Sequence, residues 1–327
     1  MKFIDLFCGI GGIKIAFSNA GFECVLSNDF DKNAKITYDF NFSDKMLLED
    51  IQKISTAKIP SFDILCGGFP CQPFSIAGYR QGFKDVEGRG NLFFDIVRIL
   101  KAKKPKAIFL ENVKNLKTHD KGNTISVIYN KLQQLGYKVT DKVLNTMEYG
   151  NIPQNRERIY IVGFLNQGIF NKFEFPSKIP LTKTIHNCLE KNEVDDKYYY
   201  NNKPIYEKIK DDIIKKDTVY QWRRKYVREN KKGVCPTLTA NMGTGGHNVP
   251  IVLDSKGIRK LTPRECANFQ GFPKNYKLPN IANSHLYKQI GNSVSIPVVQ
   301  RIAENINLAL NSIVFPHAGK NLKGVRT

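Results

Sequence analysis

Residues 2–20, KFIDLFCGIGGIKIAFSNA, are the stretch that points most directly to the fold. The mostly apolar residues 2–7 predict a buried strand, residues 8–12 predict a glycine turn, and the apolar spacing of residues 13–20 predicts a helix. Glycine has no Cβ atom, so a turn of this kind lets the backbone approach a ligand closely. The turn lacks the third glycine of the G-x-G-x-x-G motif and the lysine of a P-loop. By itself it fits a cofactor site or an ordinary tight turn.

The alternation of strand and helix continues through the first half of the chain. Further strands are predicted at residues 23–28, 62–66, 106–113 and 158–164, and further helices at residues 31–38, 91–101 and 302–310. Repeated β–α units predict an α/β fold with a mostly parallel, doubly wound sheet and helices on both of its faces. Such sheets bind ligands at the carboxyl ends of their strands. The glycine turn, Asp29, Asp50, Cys71 and Glu111 all fall at that edge.

The composition is that of a basic globular protein. The 327 residues include 50 Lys and Arg against 30 Asp and Glu, giving a formal net charge of +20, and 41% are hydrophobic. This apolar content excludes a disordered or low-complexity chain. The basic excess indicates a polyanionic partner, most often nucleic acid, with a role in solubility alone as the alternative.

The seven cysteines are odd in number and scattered, with no C-x-x-C pair and no zinc-ligand spacing. This usage is typical of a reduced protein, so we expect a cytoplasmic location and no bound metal. The N-terminal stretch lacks the pattern of a signal peptide, and no run of about 18 apolar residues is present. We therefore expect no association with a membrane.

The α/β pattern ends near residue 177. Residues 187–216 are polar and weakly periodic, residues 220–232 (YQWRRKYVRENKK) are basic with interleaved aromatics, and residues 234–247 (VCPTLTANMGTGGH) are rich in Thr and Gly. The change in composition predicts a second, smaller and irregular domain at about residues 180–265.

Cys71 lies between two prolines in the sequence GGFPCQPFS, residues 67–75, just beyond a predicted strand. A structural cysteine prefers the apolar middle of an element, whereas a nucleophile belongs on such a loop. The loop continues through residues 77–90, where glycines alternate with cations. This composition fits a mobile basic lid or an ordinary exposed loop.

Glu111 ends the apolar strand at residues 106–113. A carboxylate there is costly to bury unless it is paired or protonated, and a solvated strand end is the alternative. Arg156 and Arg158 precede the strand at residues 158–164 and fit either a site or ordinary surface charge.

Six motifs in order give the chain its resemblance to a known family. They are DLFCGIGG, GGFPCQPFS, ENV, QNRERIY, LTPRECANFQGFP and YKQIGNSV, and they span residues 2 to about 310 except for about 165–230. With these motifs the chain resembles the bacterial DNA (cytosine-5)-methyltransferases of restriction–modification systems. The resemblance implies the Rossmann-like fold of S-adenosylmethionine-dependent methyltransferases, with S-adenosylhomocysteine as the product. It also implies double-stranded DNA as substrate, a functional pairing with a restriction endonuclease, and a monomer.

By this resemblance, a target cytosine is flipped out of the duplex and methylated at C5. Cys71 would add to C6 of the base as a thiolate, and Glu111 would contact N3 and the exocyclic amine as a proton donor. Asn112 would help to position that carboxyl group. Arg158, with Arg156 near it, would bind O2 of the base and stabilise the developing charge.

The resemblance also implies the residues that bind the cofactor. They are Phe7, Gly9, Ile10, Asp29, Phe30, Asp50, Ile51, Pro70, Leu92, Asn292 and Ser293. Asp29 departs from the family, which usually carries Glu at this position to bind the ribose. Because Asp is one methylene shorter, we expect a longer or water-mediated contact with the ribose.

The domains follow from the same comparison of motifs. Residues 1–180 would form the catalytic and cofactor-binding domain, 181–265 the target-recognition domain, 266–291 a hinge, and 292–327 a segment returning to the catalytic domain. Residues suited to phosphates or base edges lie on the lid and in the recognition domain. They are Arg80, Lys84, Arg89, Arg223, Arg224, Arg228, Thr237 and Leu238.

Two other functions fit parts of the sequence. A tRNA cytosine-5 methyltransferase shares much of the motif set, but the long basic recognition segment favours DNA. A non-catalytic nucleic-acid-binding module would not need the intact Pro70-Cys71-Gln72 and Glu111-Asn112-Val113. An amino-group methyltransferase is disfavoured because Pro70-Cys71-Gln72 stands in place of its Pro-Pro-aromatic element, and a nicotinamide oxidoreductase because the glycine motif is incomplete.

Overall fold

A seven-stranded sheet forms the centre of the computed structural model, which describes residues 1–69, 92–223, 225–230, 232–244 and 248–312. The strands of the first half are β1 (Lys2–Leu6), β2 (Glu23–Asp29), β3 (Leu47–Leu48), β4 (Ile64–Gly67), β5 (Ala107–Val113), β6 (Lys138–Asn145), β7 (Gln154–Asn155) and β8 (Glu157–Phe164). The sheet has the order β3-β2-β1-β4-β5-β8-β6. The strands from β3 to β5 are parallel, and β8 is antiparallel to both of its neighbours. The predicted mostly parallel sheet is confirmed.

Helices cover both faces of this sheet. They are α1 (Gly12–Asn19), α2 (Lys32–Asp39), α3 (Leu92–Lys103), α4 (Asn123–Gln134), α5 (Thr146–Tyr149), α6 (Gln167–Phe170), α7 (Pro263–Gln270), α8 (Asn283–Asn292) and α9 (Ile296–Asn311). Short 3-10 helices lie at Ile51–Lys53, Thr56–Lys58, Lys114–Lys117, His119–Gly122, Ile185–Asn187, Asp196–Tyr198 and Tyr206–Lys208. Local capping explains several starts: the Asp31 carboxylate accepts from two amides of α2, and Thr262 and Glu265 form a capping box at α7.

Alternation along the strands divides the core between the two faces. Phe3 of β1 and Phe109 of β5 pack with α1 and α9 on one face. Ile4 and Leu110, their neighbours in sequence, pack with α3 and α4 on the other face. Because successive strand side chains point to opposite faces, both surfaces of the sheet are apolar, and both are covered by helices. The predicted doubly wound arrangement is confirmed.

A second, antiparallel sheet lies in the chain between β8 and α7. Its strands are β9 (Tyr220–Trp222), β10 (Val227–Glu229), β12 (Pro250–Leu253) and β13 (Ile258–Lys260), in the order β10-β9-β12-β13. It has a small core of its own, built on Ile209, Ile213, Tyr220, Val249, Ile251 and Ile258. The basic stretch at residues 220–232, predicted to be irregular, therefore contains a pair of short strands. The domain boundaries themselves stay predictions.

The later part of the chain returns to the first half, as two contacts show. The short strand β11 (Cys235–Pro236) pairs in parallel with β7. The helix α9 packs on α1, and the Asn307 side chain donates to the Ala20 carbonyl at 2.9 Å. The site described next is built from both halves of the sequence as a result.

Within the described ranges, no helix combines the length and apolarity needed to cross a membrane.

Candidate active site

A cavity of about 360 Å³ opens at the carboxyl ends of β1, β2, β4 and β5, where the sequence predicts a site. Of the predicted cofactor residues, those that line it are Phe7, Gly9, Ile10, Asp29, Phe30, Asn292 and Ser293. Of the predicted catalytic residues, those that line it are Glu111, Asn112, Arg156 and Arg158. One cavity therefore brings together the two groups of residues that the sequence keeps apart.

The glycine turn after β1 forms the floor of the cavity and contacts the segment after α8. Gly9 and Gly11 have φ of +52° and +81°, a region that favours glycine. A Cβ atom on Gly12 would lie 2.6 Å from Ser293 Oγ and 3.0 Å from a Val294 methyl. The Ser293 and Val294 side chains therefore occupy the space that a side chain on residue 12 would need.

Asp29, at the end of β2, supports the same turn. Its Oδ2 accepts a hydrogen bond from the Gly9 amide at 2.8 Å, and its Oδ1 accepts from the Asp31 amide at 2.9 Å. Burial raises the pKa of Asp29, against the opposing effect of these backbone donors. Each carboxylate oxygen retains a further lone pair, so Asp29 can hold the turn and still accept from a ligand hydroxyl.

Glu111 and Arg158 face each other in the cavity wall. Antiparallel pairing of β5 and β8 sets Val113 opposite Arg158, and it brings Arg158 Nε to 3.1 Å from Glu111 Oε1. Burial raises the pKa of Glu111, although Arg158 and Arg156 favour its charged form. The alternative of a solvated Glu111 is excluded, because its side chain is only 10% exposed. A carboxyl group that holds its proton in this way can act as an acid.

Asn112 fixes the chain just after β4, at Phe69, the last described residue before Cys71. Its Nδ2 donates to the Phe69 carbonyl at 2.9 Å, and its Oδ1 accepts from the Val113 amide at 2.8 Å. A Cβ atom on Gly68 would lie 3.7 Å from Glu111 Oε2, so the chain directly after β4 is adjacent to the buried acid. Pro70, Cys71, Arg80, Lys84, Arg89 and Arg224 lie outside the described residues.

Arg156 has partners that the sequence does not predict. The residue is 2% exposed, and its guanidinium donates to the carbonyls of Leu238, Gly291 and Ser293 at 2.8, 3.2 and 2.6 Å. Its predicted position near O2 of the base stays a prediction. Its observed contacts are to backbone, whereas Arg158 is the arginine that faces Glu111.

Leu238, a predicted DNA contact, is buried in this structure. Its side chain is 1% exposed, its amide donates to Gln154 Oε1 at 3.2 Å, and its carbonyl accepts from Arg156. An apolar side chain in this position stabilises the fold, and its contact with DNA stays a prediction. The Thr237 hydroxyl donates to the Asn155 carbonyl at 2.7 Å, and Arg228 is exposed on β10.

Three predicted cofactor residues lie outside the cavity lining of the described structure. The Asp50 carboxylate caps the helix Ile51–Lys53 by accepting from the Gln52 amide at 3.1 Å. Ile51 is buried in the core on the α3 side of the sheet, and Leu92 begins α3. Their contacts with a cofactor stay predictions.

Among the lining residues outside the predicted set are Lys288 and Gln289 of α8. Lys288 Nζ lies 3.3 Å from Asp31 Oδ2, and Gln289 Oε1 accepts from the Thr37 hydroxyl at 2.7 Å. Their position inside the motif YKQIGNSV, four and three residues before Asn292, is the available signal.

Asp5 is a buried acid beneath the turn, and it makes stability depend on pH. Neither carboxylate oxygen has a hydrogen-bond partner among the described residues, and burial raises the pKa of Asp5 to about 8. The folded protein therefore keeps a proton that the unfolded chain releases near pH 4, so stability should fall as the pH rises from about 4 to about 8.

In Asp5→Asn, the loss of stability with rising pH is expected to be smaller than in wild type. The variant should be more stable than wild type at about pH 9, because the amide stays uncharged. Urea unfolding between about pH 5 and pH 9 would measure the two slopes. Parallel pH profiles for the two proteins would contradict the assignment of the proton to Asp5.

Within the described part of the chain, no cluster of three or more His, Cys, Asp or Glu side chains is placed to hold a metal ion.

Comparison with known proteins gives a consistent result. The family description "C-5 cytosine-specific DNA methylase" matches residues 1–308. The type II methyltransferase M.Bsp6I of Bacillus sp. (strain RFL6) is 55% identical over 310 residues, covering 94% of this chain and 98% of that protein. The type II methyltransferase M.HhaI of Haemophilus parahaemolyticus is 42% identical over 329 residues, covering 95% of each protein.

Solved structures with the same fold include two at low sequence identity. The Dnmt2 methyltransferase of S. pombe has a TM-score of 0.74 at 21% identity, covering 95% of this chain and 99% of that one. The Entamoeba histolytica methyltransferase EhMeth has a TM-score of 0.74 at 22% identity, covering 95% and 98%. These likenesses bear on the fold alone, and they confirm the predicted methyltransferase fold.

Proposed function

The chain belongs to the C-5 cytosine-specific DNA methylase family, and from that premise we propose that the cavity beside β1 and β5 is its active site. The protein is a DNA cytosine-5 methyltransferase that uses S-adenosylmethionine, as its family and its type II relatives establish. The observation that carries the proposal is the buried Glu111 carboxyl, held by Arg158 in the same cavity as the glycine turn.

The cavity residues fit S-adenosylmethionine. A volume of about 360 Å³ is within the usual range for small-molecule pockets. Asp29 would accept from the ribose hydroxyls, and the Phe30 ring, 66% exposed, would pack on the purine. The backbone of the turn, with Asn292 and Ser293, would enclose the remainder. When bound, the cofactor supplies a methyl group on a positively charged sulfur.

Gly12→Ala is expected to weaken binding of S-adenosylhomocysteine by roughly 3- to 10-fold, because a Cβ atom 2.6 Å from Ser293 Oγ and 3.0 Å from a Val294 methyl must displace these side chains in the cavity wall. Isothermal titration would measure the affinity. Gly163→Ala is the control, because that glycine lies on β8 away from the cavity lining and a Cβ atom there would meet its neighbours at 3.4 Å. An affinity unchanged by Gly12→Ala would contradict the placement of the cofactor.

The chain's own groups would then act on the flipped cytosine in order. The Cys71 thiolate adds to C6, and the electron pair of the C5–C6 bond is displaced toward N3, where the Glu111 carboxyl donates its proton. Arg158 holds Glu111 and stabilises charge at O2 of the base. The carbon C5, now nucleophilic, accepts the methyl group. The C5 proton then leaves to solvent, the proton on N3 returns to the Glu111 carboxylate, and the Cys71 thiolate departs as the C5–C6 double bond forms again, which restores the ring.

We propose that the predicted domains have separate roles in this reaction, and that residues 181–265 recognise the DNA sequence. The exposed Arg228 on β10, together with Arg223, would contact phosphates or base edges. The predicted contacts of Arg80, Lys84, Arg89 and Arg224 belong to this proposal as well. The net charge of +20 supports it, because phosphate neutralisation supplies most of the non-specific affinity for DNA.

We further propose a monomeric cytoplasmic enzyme that protects DNA from a cognate restriction endonuclease. The type II naming of the relatives supports the pairing with an endonuclease. Size-exclusion chromatography with light scattering would measure the mass against the 37.2 kDa of the chain.

Expression in a bacterium that lacks its own cytosine methylation, followed by bisulfite sequencing of the host DNA, tests the function. We expect complete methylation of one cytosine within a short recurring sequence. Methylation of the same cell's tRNA, measured in parallel, with no mark in its DNA would overturn the assignment. Glu111→Gln, expressed at the same level, is the matched negative control.

A further inference from the structure

Arg156 connects the cofactor cavity to the segment that leads into the second sheet. One guanidinium nitrogen donates to the Leu238 carbonyl at 2.8 Å, and the other donates to the Ser293 and Gly291 carbonyls at 2.6 and 3.2 Å. Ser293 lines the cavity, whereas Leu238 belongs to residues 235–239, which we call the anchor segment. A single buried side chain therefore contacts both regions.

The anchor segment is attached along its length to the strand that precedes Arg156. Cys235 and Pro236 pair in parallel with Gln154 and Asn155. The Thr237 hydroxyl donates to the Asn155 carbonyl at 2.7 Å, and the Leu238 amide donates to Gln154 Oε1 at 3.2 Å. These bonds hold the segment against β7, directly beside the guanidinium.

The end of α8 touches the anchor segment from the other side. A Cβ atom on Gly291 would lie 2.3 Å from the Thr239 carbonyl oxygen, so the two backbones are in contact. Gly291 also lines the cavity and accepts from Arg156. The cavity wall and the anchor segment thus meet both directly and through Arg156.

The chemistry of arginine makes this contact stiff. Its guanidinium is planar, so the two terminal nitrogens keep a fixed geometry. Because the group is buried, water cannot readily replace a carbonyl that moves away, and a charged donor left without acceptors is costly. A displacement of the Ser293 carbonyl must therefore move the guanidinium and, with it, the Leu238 carbonyl.

We propose that Arg156 is a positioning residue that couples occupancy of the cofactor cavity to the position of the anchor segment, which lies in the chain between β10 and β12 of the second sheet. The proposal rests on the proposed placement of the cofactor against Asn292 and Ser293. Cofactor binding restrains the Ser293 backbone, and Arg156 transfers this restraint to Leu238. Because such coupling is reciprocal, DNA that orders the anchor segment raises cofactor affinity by the same factor.

Hydrogen–deuterium exchange with S-adenosylhomocysteine as the probe tests the coupling in the full chain. In wild type we expect the probe to slow exchange both in the turn at residues 9–13 and in the anchor segment, the latter by roughly tenfold. Arg156→Lys keeps a nitrogen donor but has no planar fork to span the carbonyls. In that variant we expect protection of the turn to persist, while protection of the anchor segment falls below about twofold.

Arg301→Lys is the matched control. Arg301 also donates to two backbone carbonyls, Tyr149 at 2.9 Å and Ser177 at 3.0 Å, and neither is in the cavity or the anchor segment. We expect it to keep both protections. Arg156→Gln, a shorter neutral donor, repeats the test with a second side chain if the lysine variant is unstable to heat.

The outcomes separate the two proposals. Protection of the turn without protection of the anchor segment in wild type, or full protection of both in Arg156→Lys, would overturn the coupling alone. Binding of the probe with no protection at residues 9–13 would overturn the placement of the cofactor and, with it, the coupling.

Discussion

Cys71→Ser is expected to lower methyl transfer by roughly 10⁴-fold or more, while the protein still binds duplex DNA and S-adenosylhomocysteine. The reaction needs a group that adds to C6 as an anion and later leaves. A thiol with a pKa near 8.5 provides a usable fraction of thiolate near neutral pH, whereas a serine hydroxyl remains protonated. The loss should therefore appear in kcat and not in the affinity for either ligand.

The six cysteines of the described structure support the choice of Cys71 as the nucleophile. They are Cys8, Cys24, Cys66, Cys188, Cys235 and Cys266. Burial raises the pKa of each of these thiols, to about 11 for Cys24 and about 12 for Cys188. A buried thiol that stays protonated cannot attack a base, so Cys71 remains as the candidate for the nucleophile.

Transfer of labelled methyl groups to duplex DNA would measure the effect, with Cys24→Ser as the control because Cys24 is partly exposed and away from the cavity lining. A duplex carrying 5-fluorocytosine adds a second readout, since fluorine at C5 blocks the final proton loss and leaves the protein attached to the DNA. Wild type and Cys24→Ser should form this adduct. Turnover by Cys71→Ser above about a tenth of wild type would refute the assignment.

The sequence predicted the central fold well, because its strands and helices have clear periodicity. The helix predicted at residues 91–101 is observed at Leu92–Lys103, and it ends before Pro105 as the fixed proline φ requires. The strand β6 was not predicted, because Lys138–Asn145 is an edge strand with polar residues on both faces and only its last two residues buried. The strands of the second sheet, three or four residues long, carry too little pattern to be predicted.

The sequence predicts the parts of the site whose function depends on the type of side chain. It does not predict the parts that depend on contacts with backbone groups. Glu111 and the glycine turn can be predicted from their own motifs. The contacts of Arg156 are to carbonyls 82 and 137 residues away in sequence, and every residue has a carbonyl. No side-chain pattern marks such partners, so only the packed structure distinguishes Arg156 from Arg158.

Glu111→Gln is expected to lower kcat by roughly 10²–10⁴-fold, with the affinity for S-adenosylhomocysteine nearly unchanged. Glutamine matches the shape of the carboxyl group and can donate a hydrogen bond, but it cannot give up a proton as charge develops on the ring. Single-turnover methylation would measure the chemical step. Glu157→Gln is the matched control, since Glu157 lies on β8 near Arg158 and pairs with Lys114 in a more exposed position.

The pH profile separates a proton donor from a merely structural carboxylate. Because burial raises the pKa of Glu111, the acid form persists to higher pH than in a solvated glutamate. Wild-type activity should increase with pH as Cys71 ionises and then decline as Glu111 loses its proton. In Glu111→Gln the residual activity should still increase with pH but should no longer decline at high pH. A decline at high pH that persists unchanged in Glu111→Gln would contradict the role of Glu111 as the acid.

Stability measurements then exclude unfolding as the cause of the lost activity. The raised pKa means that the attraction of Arg158 does not compensate for burying the Glu111 charge. The folded wild type therefore binds this proton more tightly than the unfolded chain, and its stability falls as the pH rises from the ordinary glutamate pKa through the folded one. Glu111→Gln lacks the charge, so above that window it should be at least as stable as wild type in urea unfolding. A variant that is inactive and equally stable identifies the proton, and not the fold, as what Glu111 supplies.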